Sequence, residues 1–311
     1  MNIRHEHAIA TRTSDEPFAQ PLMHPVASAS DPSRASRSIG GFIREARNLS
    51  DEQVEQILIY QRKNDLKFGE AAVALQLASG EDVRRALSFQ FDYPYGEARV
   101  RSLSAELVVA ASPFSAAAEV FRDLRSKLLG LGPAEGEAKR ALAVLSPEVG
   151  DGKTFVAVNL AIAFSQLGLR TLIVDADLRS PRVHKIFDVP DRVGLSNVLA
   201  GLTHQDFIYD VPGLPSLYVL PAGIEPPNPN ELIAKPGFTL LLRDLLQRFD
   251  QVIVDTPASS LGADARITAM KAGSCLVVSR RHGTKVKALK GLLDAIDKSP
   301  TALAGVMLND R

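Results

Sequence analysis

A chain of 311 residues is about twice a common domain length, and its 45% apolar and 23% charged residues, with 21 Gly and 19 Pro, exclude collagen-like, mucin-like and fibrous repeat proteins. Its 36 Lys and Arg balance 36 Asp and Glu, so no overall field draws it to nucleic acid or an anionic bilayer; such a partner would need a local patch. The lone cysteine, Cys275, excludes an internal disulfide and a thiolate metal cage, and sits in an apolar run where it reads as a small core residue.

Residues 1–37 hold four prolines, scattered serines and no periodic apolar pattern, which predicts a disordered arm. Its histidines, His5, His7 and His24, have no fixed relation to one another and are not read as metal ligands. No apolar segment follows the N-terminal charges as in a signal peptide, and no run approaches the roughly 18 apolar residues of a membrane span, so a cytoplasmic chain is expected.

From Ile39 the sequence repeats with a period of 29: residues 39–61 align without gaps on 68–90, with identities at Gly40/Gly69, Ser50/Ser79, Glu52/Glu81, Val54/Val83, Leu58/Leu87 and Gln61/Gln90. In each copy a serine precedes first-turn acids, as a helix N-cap does, and Val54, Ile57, Leu58 and Gln61 follow at helical spacing, as do Val83, Ala86, Leu87 and Gln90. Two helix pairs forming a small all-helical domain over 38–96 are expected, closed by Phe91–Tyr95. A connector and interface helix over 97–140 follows, with its helix at Ala116–Leu129.

After Lys139 short apolar runs recur at Ala141–Leu145, Thr171–Val174, Leu217–Leu220, Gln251–Val254, Ser274–Ser279 and Leu303–Leu308, separated by helix-compatible segments. That alternation predicts an α/β domain over 141–311: a mostly parallel sheet covered by helices on both faces, with its ligand crevice outside the carboxyl ends of the strands.

The first strand runs into Ser146-Pro147-Glu148-Val149-Gly150-Asp151-Gly152-Lys153-Thr154 and then a helix from Phe155 to Leu167. Strand, glycine loop, Lys-Thr and helix together make a phosphate cradle, the P-loop or Walker A element. Gly150 and Gly152 let successive N–H groups of residues 149–155 turn toward phosphate oxygens, Lys153 brings a point charge, and the Thr154 hydroxyl is placed for Mg²⁺. Pro147 stands where the common pattern has its first glycine. The second strand ends Val174-Asp175-Ala176-Asp177-Leu178-Arg179, and alternation predicts that Asp175 and Asp177 lean into one pocket and share a divalent cation. A turn-forming Asp pair with Arg179 as a surface partner is the competing reading. The fourth strand supplies a third carboxylate, Asp255, in the Walker B position, reaching Mg²⁺ through water.

Residues 112–309 closely resemble the bacterial tyrosine kinases of exopolysaccharide synthesis, P-loop proteins related to the MinD and ParA ATPases. The resemblance rests on the P-loop, on Val174 to Pro181 with His184 and Phe187, on Gly194-Leu195-Ser196, on Gly223 to Leu232 and on Val252 to Pro257. It implies that Val149, Gly150, Asp151, Gly152, Lys153, Thr154, Phe155 and Arg179 bind ATP. It further implies that Thr154, Asp175, Asp177 and Asp255 hold Mg²⁺, with Lys153 and the three carboxylates catalytic and a Walker A′ carboxylate activating the attacking hydroxyl. The MinD signature lysine would fall at position 148, where Glu148 stands, so the kinase branch fits better than a MinD/ParA-like ATPase switch, the alternative reading.

Glu119, Arg122 and Arg125 resemble the E-x-x-R-x-x-R element of ring-shaped self-association in that family, which implies a homo-oligomer. The duplicated unit resembles the small helical domain of type II secretion ATPases, and its pairing with a kinase domain is similar to the EpsG-type subfamily. That subfamily's partner is a membrane chain-length determinant, which implies recruitment to the inner face of the plasma membrane. Some relatives of the helical domain bind cyclic di-GMP through paired Arg-Leu-Gly motifs; here Ser38-Ile39-Gly40 and Lys67-Phe68-Gly69 lack the arginine, and protein docking is expected instead. The family's usual acceptor is a tyrosine cluster in a C-terminal tail, whereas none of the five tyrosines lies beyond Tyr218. The expected acceptors are therefore Tyr60, Tyr93, Tyr95 or a tyrosine on another protein.

Overall fold

A computed structural model describes residues 38–90, 104–132, 138–202 and 207–310. The expected arm, the closing segment Phe91–Tyr95 with its two tyrosines, and His5, His7 and His24 lie outside these residues.

The duplicated unit forms four helices, α1 (Ile39–Arg47), α2 (Asp51–Asn64), α3 (Phe68–Ala74) and α4 (Gly80–Gln90). Serine starts three of them. The Ser38 hydroxyl accepts from Gly41 N–H; Ser50 and Gln53 form a reciprocal capping box; and the Ser79 hydroxyl accepts from Asp82 N–H while the Asp82 carboxylate accepts from Ser79 N–H. The 29-residue repeat is visible in the core: Ile43, Leu49 and Ile57 are buried, and so are their counterparts Ala72, Ala78 and Ala86. In these three pairs a large residue of the first copy answers an alanine in the second, so the two copies fill complementary parts of one core. Leu58, expected on the buried face, is instead 38% exposed.

Next come α5 (Val108–Ala111), α6 (Ala116–Gly130), β1 (Ala141–Leu145), α7 (Lys153–Ser165), β2 (Thr171–Asp175), α8 (Val183–Phe187), α9 (Leu195–Leu199), β3 (Tyr209–Asp210) and β4 (Leu217–Leu220). The chain continues through α10 (Pro229–Ala234), α11 (Pro236–Arg248), β5 (Gln251–Asp255), α12 (Asp264–Ala272), β6 (Gly273–Arg280), α13 (Val286–Asp297) and β7 (Ala302–Asn309). All six expected strands form. The sheet order is β3-β4-β2-β5-β1-β6-β7, parallel throughout except for β3 against β4. Strands β1 and β2 are buried at every position, as a sheet covered on both faces requires. One face packs under α5, α6, α7 and α8, the other under α9 to α13.

Asn159, which interrupts the apolar run of α7, is fully buried and fully used. Its Oδ1 accepts from Val109 N–H, and its Nδ2 donates to the carbonyls of Glu106 and Phe155, stapling the α5 segment onto α7. Cys275 is buried in β6, and burial pushes its thiol up to about 11, as expected for an inert core residue. Among the described residues no helix is long and apolar enough to cross a membrane.

Candidate functional site

Because β1, β2, β5, β6 and β7 run parallel, their carboxyl ends meet along one rim, and the loops leaving them assemble the site. The loop after β1 needs left-handed backbone at Gly150 (φ +87°) and Gly152 (φ +97°), where a side chain would be strained. Gly152 also leaves no room, since a Cβ there would meet the Asn309 side-chain amide. Helix α7 then starts at Lys153, and its first intrahelical bond is Val156 N–H to the Gly152 carbonyl. The N–H groups of residues 153–155 thus have no acceptor within the helix, and they face the rim with the helix dipole behind them.

Neighbouring strands fix the loop's shape. The Ser146 and Pro147 carbonyls accept from Ser259 and Ser260 N–H, and the Thr256 hydroxyl donates to the Val144 carbonyl. Asp151, expected at the nucleotide as part of the loop, uses both of its side-chain oxygens to hold the loop itself. Oδ2 accepts from Glu148 N–H at 2.8 Å and Oδ1 from the Thr284 hydroxyl at 2.6 Å, while its backbone carbonyl accepts from Asn309 Nδ2 at 3.0 Å. Phe155 likewise turns its ring away, packing edge-on against Phe121 of α6 at 5.7 Å, so only its backbone is at hand for a ligand.

Asp175 and Asp255 end β2 and β5 in register, side by side. Both are buried, and burial raises both carboxyl pKa values: Asp175 well above the ordinary range, Asp255 to about 6. The Asp255 charge adds to the rise at Asp175; at Asp255, Lys153 and a hydrogen bond from Thr154 pull the other way. Oδ1 of Asp255 is buried with no hydrogen-bond partner. An orphaned anionic oxygen beside the Thr154 hydroxyl and the Lys153 ammonium suits a divalent cation or the water around one.

Asp175 and Asp177 stand together with Asp255, near enough that the Asp177 charge adds to the rise at both neighbours, but each also has a backbone role. Strand β2 ends at Asp175, so alternation does not extend to Asp177. Asp175 accepts backbone N–H bonds from Asp177, Arg182 and Val183, and thereby caps α8. Asp177 turns the loop by accepting from Arg179 and Ser180 N–H through Oδ1, while its Oδ2 lies 3.5 Å from Lys153 Nζ. Turn-forming and site-forming roles are therefore combined in one pair. Among the described residues no three acid, His or Cys side chains converge as a self-contained metal cage, so a cation here needs further oxygens, which phosphate and water supply.

Arg179, expected at the nucleotide, is drawn to α12, where its Nε meets Asp264 Oδ2 at 2.5 Å; that bond raises its pKa further. Arg122 bonds Glu119 and the Pro113 carbonyl, and Arg125 donates to the Ala163 carbonyl at 2.7 Å, so both arginines of the expected interface element are engaged within the chain. Asp264, Thr284 and Asn309 went unread in the sequence. Their partners lie 85, 133 and 158 residues away, beyond any local pattern.

Residues 142–310 match the family described as the CobQ/CobB/MinD/ParA nucleotide binding domain, which defines the class. The chain is 36% identical over 216 residues to CapB of Staphylococcus aureus, covering 68% of this chain and 92% of that one. It is 32% identical over 206 residues to tyrosine-protein kinase YwqD of Bacillus subtilis, covering 66% and 86%. The kinase domain of Escherichia coli tyrosine kinase ETK superposes with a TM-score of 0.61 at 29% identity, over 65% of this chain and 79% of that one. The chain spans 26% of the longer tyrosine-protein kinase ptk of Acinetobacter johnsonii. It belongs to the bacterial tyrosine-protein kinase family, built on that nucleotide-binding fold.

Proposed function

We propose that the chain is an ATP- and Mg²⁺-dependent protein-tyrosine kinase of exopolysaccharide synthesis and export, acting with a membrane chain-length determinant. The observation that carries this reading is Lys153 Nζ poised 3.5 Å from Asp177 Oδ2, between a P-loop and a carboxylate turn, in a chain whose relatives are tyrosine kinases. The relatives favour the kinase over the MinD-like switch.

In this mechanism the backbone N–H groups of residues 149–155 cradle the phosphates, and Lys153 neutralises charge on the γ-phosphoryl group as it moves. Thr154 and Asp255 would hold Mg²⁺, which would neutralise charge on the phosphates when bound; the orphaned Asp255 oxygen supports this. Asp177 orients the acceptor hydroxyl and takes its proton, because Oδ2 faces the Lys153 side of the loop. Asp175, held by three backbone N–H groups, fixes the turn that presents Asp177. Arg179 positions the same turn against α12.

Residues 38–96 would then serve as a protein-docking module, 97–140 as connector and interface, and 141–311 as the catalytic unit. Self-association through α6 would begin at Glu119, whose side chain is 71% exposed. The test is phosphosite mapping after coexpression with a chain-length determinant. Phosphotyrosine should appear with the parent chain and vanish with Lys153→Met; phosphotyrosine that persists in the variant overturns the assignment.

A further inference from the structure

The chain carries no net charge, yet its charge is not evenly spread. From Ala265 to Leu293 there is no acid and there are seven Lys and Arg residues. Two of these sit apart from the rest: Lys271 is tied to the Ala234 and Lys235 carbonyls, and Arg266 lies on α12. The other five, Arg280, Arg281, Lys285, Lys287 and Lys290, run from the last residue of β6 through the β6–α13 loop into the first half of α13, and all five are exposed. Arg281 pairs with Asp310 at 3.1 Å. Among the described residues Arg280, Lys285, Lys287 and Lys290 have no ion-pair partner within the 4.0 Å of a salt bridge.

The loop that carries them is preformed. Gly283 and Thr284 N–H both donate to the Arg280 carbonyl, Arg280 N–H donates to the Thr284 hydroxyl at 2.7 Å, and Arg281 N–H donates to the Asn309 carbonyl at 2.8 Å. Two large apolar side chains flank it in the open: Val286, the first residue of α13, 68% exposed, and Leu308, paired in register with Ser279 just before the loop, 62% exposed. Cations interleaved with exposed aliphatic side chains on a braced surface complement an anionic, apolar-backed plane such as a lipid headgroup layer.

We infer that the β6–α13 loop and the first turns of α13, ahead of the exposed Asp294 and Asp297, form a docking surface for an anionic lipid bilayer, independent of any protein partner. The surface lies on the nucleotide rim, since Thr284 within the loop holds Asp151 of the P-loop. Docking there would present the rim toward the bilayer, where an acceptor on a membrane protein would be found.

Sedimentation of the full chain with vesicles tests this, using phosphatidylcholine alone and phosphatidylcholine with about 30% phosphatidylglycerol, at about 0.1 M and 0.5 M salt. Binding should occur only with phosphatidylglycerol and weaken steeply at the higher salt. Each surface cation contributes roughly fivefold, so Lys285→Gln/Lys287→Gln/Lys290→Gln should lose on the order of 100-fold in vesicle affinity. Binding of a fluorescent ATP analogue, measured on the same samples, should stay within about twofold of the parent. The proposal fails if the parent ignores phosphatidylglycerol, if the triple variant binds it equally well, or if the variant loses the nucleotide instead. It fails equally if soluble poly-glutamate binds the patch more tightly than the vesicles do, which would mark an acidic polypeptide as the occupant. No protein partner is present in the assay, so the result is separate from the kinase assignment.

Discussion

Asp255 carries two demands that conflict. Its Oδ1 is buried without a hydrogen-bond partner, and the carboxyl pKa is pushed up to about 6 from an ordinary 3.8. An unfolded chain therefore releases this proton at lower pH than the folded one, so rising pH favours unfolding between those values. The contribution to stability is fully present below the unfolded value and is lost as pH climbs through about 6. In protein stripped of nucleotide and divalent metal, Asp255→Asn should raise stability at pH 8 by on the order of 2 kcal/mol, because a buried charge disappears. The gain should fade toward pH 4, where both chains are neutral at this position. Denaturant melts across that range measure it, and a gain that does not change with pH contradicts the assignment. The same variant should lose Mg²⁺-dependent nucleotide affinity, as expected where function has been kept at the expense of stability.

At the scale of elements, the continuous apolar runs located the central strands, because a strand buried on both faces admits no polar interruption, and they located the edge strand β7 as well, although its Leu303, Val306 and Leu308 stay exposed. Strand β3 was not legible: two residues, Tyr209 and Asp210, pair antiparallel at the sheet edge and leave no periodic trace. The helical repeat was legible because a duplication repeats its caps as well as its core. The copies are not equivalent, however, at their shared glycines. A Cβ on Gly40 would rest at 3.5 Å from the Phe68 ring, an ordinary contact, whereas a Cβ on Gly69 would come within 2.6 Å of Val83 Cγ1. Valine in a helix has little rotamer freedom with which to yield. Gly69→Ala should therefore cost about 1–3 kcal/mol of stability in the helical domain, while Gly40→Ala should be neutral or mildly stabilising through helix propensity. Thermal melts of the two variants decide the point, and equal effects would mean that the α3–α4 contact is looser than drawn.

Across the whole molecule, the site is held by strands that the sequence could not connect to it. The P-loop, Asp177 and Asp255 were readable because each sits in a local pattern of apolar strand followed by polar turn. What shapes the loop comes from the β6–α13 loop and β7, where Thr284 and Asn309 reach Asp151 across more than 130 residues. The sheet order explains this: β1 lies between β5 and β6, so the loop leaving it is walled on one side by Asp255 and on the other by the end of β6. The P-loop thus takes its form from the loop after β6 and from the end of β7 as much as from its own glycines. Thr284→Val keeps the volume of the side chain and removes the hydroxyl, leaving Asp151 Oδ1 buried without its 2.6 Å donor. A hydrogen bond to a charged group contributes about 1.5–3 kcal/mol, and Asp151 can recover part of that only by moving, which drags Glu148 N–H with it. Nucleotide affinity should therefore fall on the order of tenfold in Thr284→Val and return toward the parent in Thr284→Ser, which restores the donor. Calorimetric titration with ATP and Mg²⁺ reads the difference. If Thr284→Val lowers the melting temperature while leaving affinity untouched, the contact braces the fold alone and the loop keeps its shape without it.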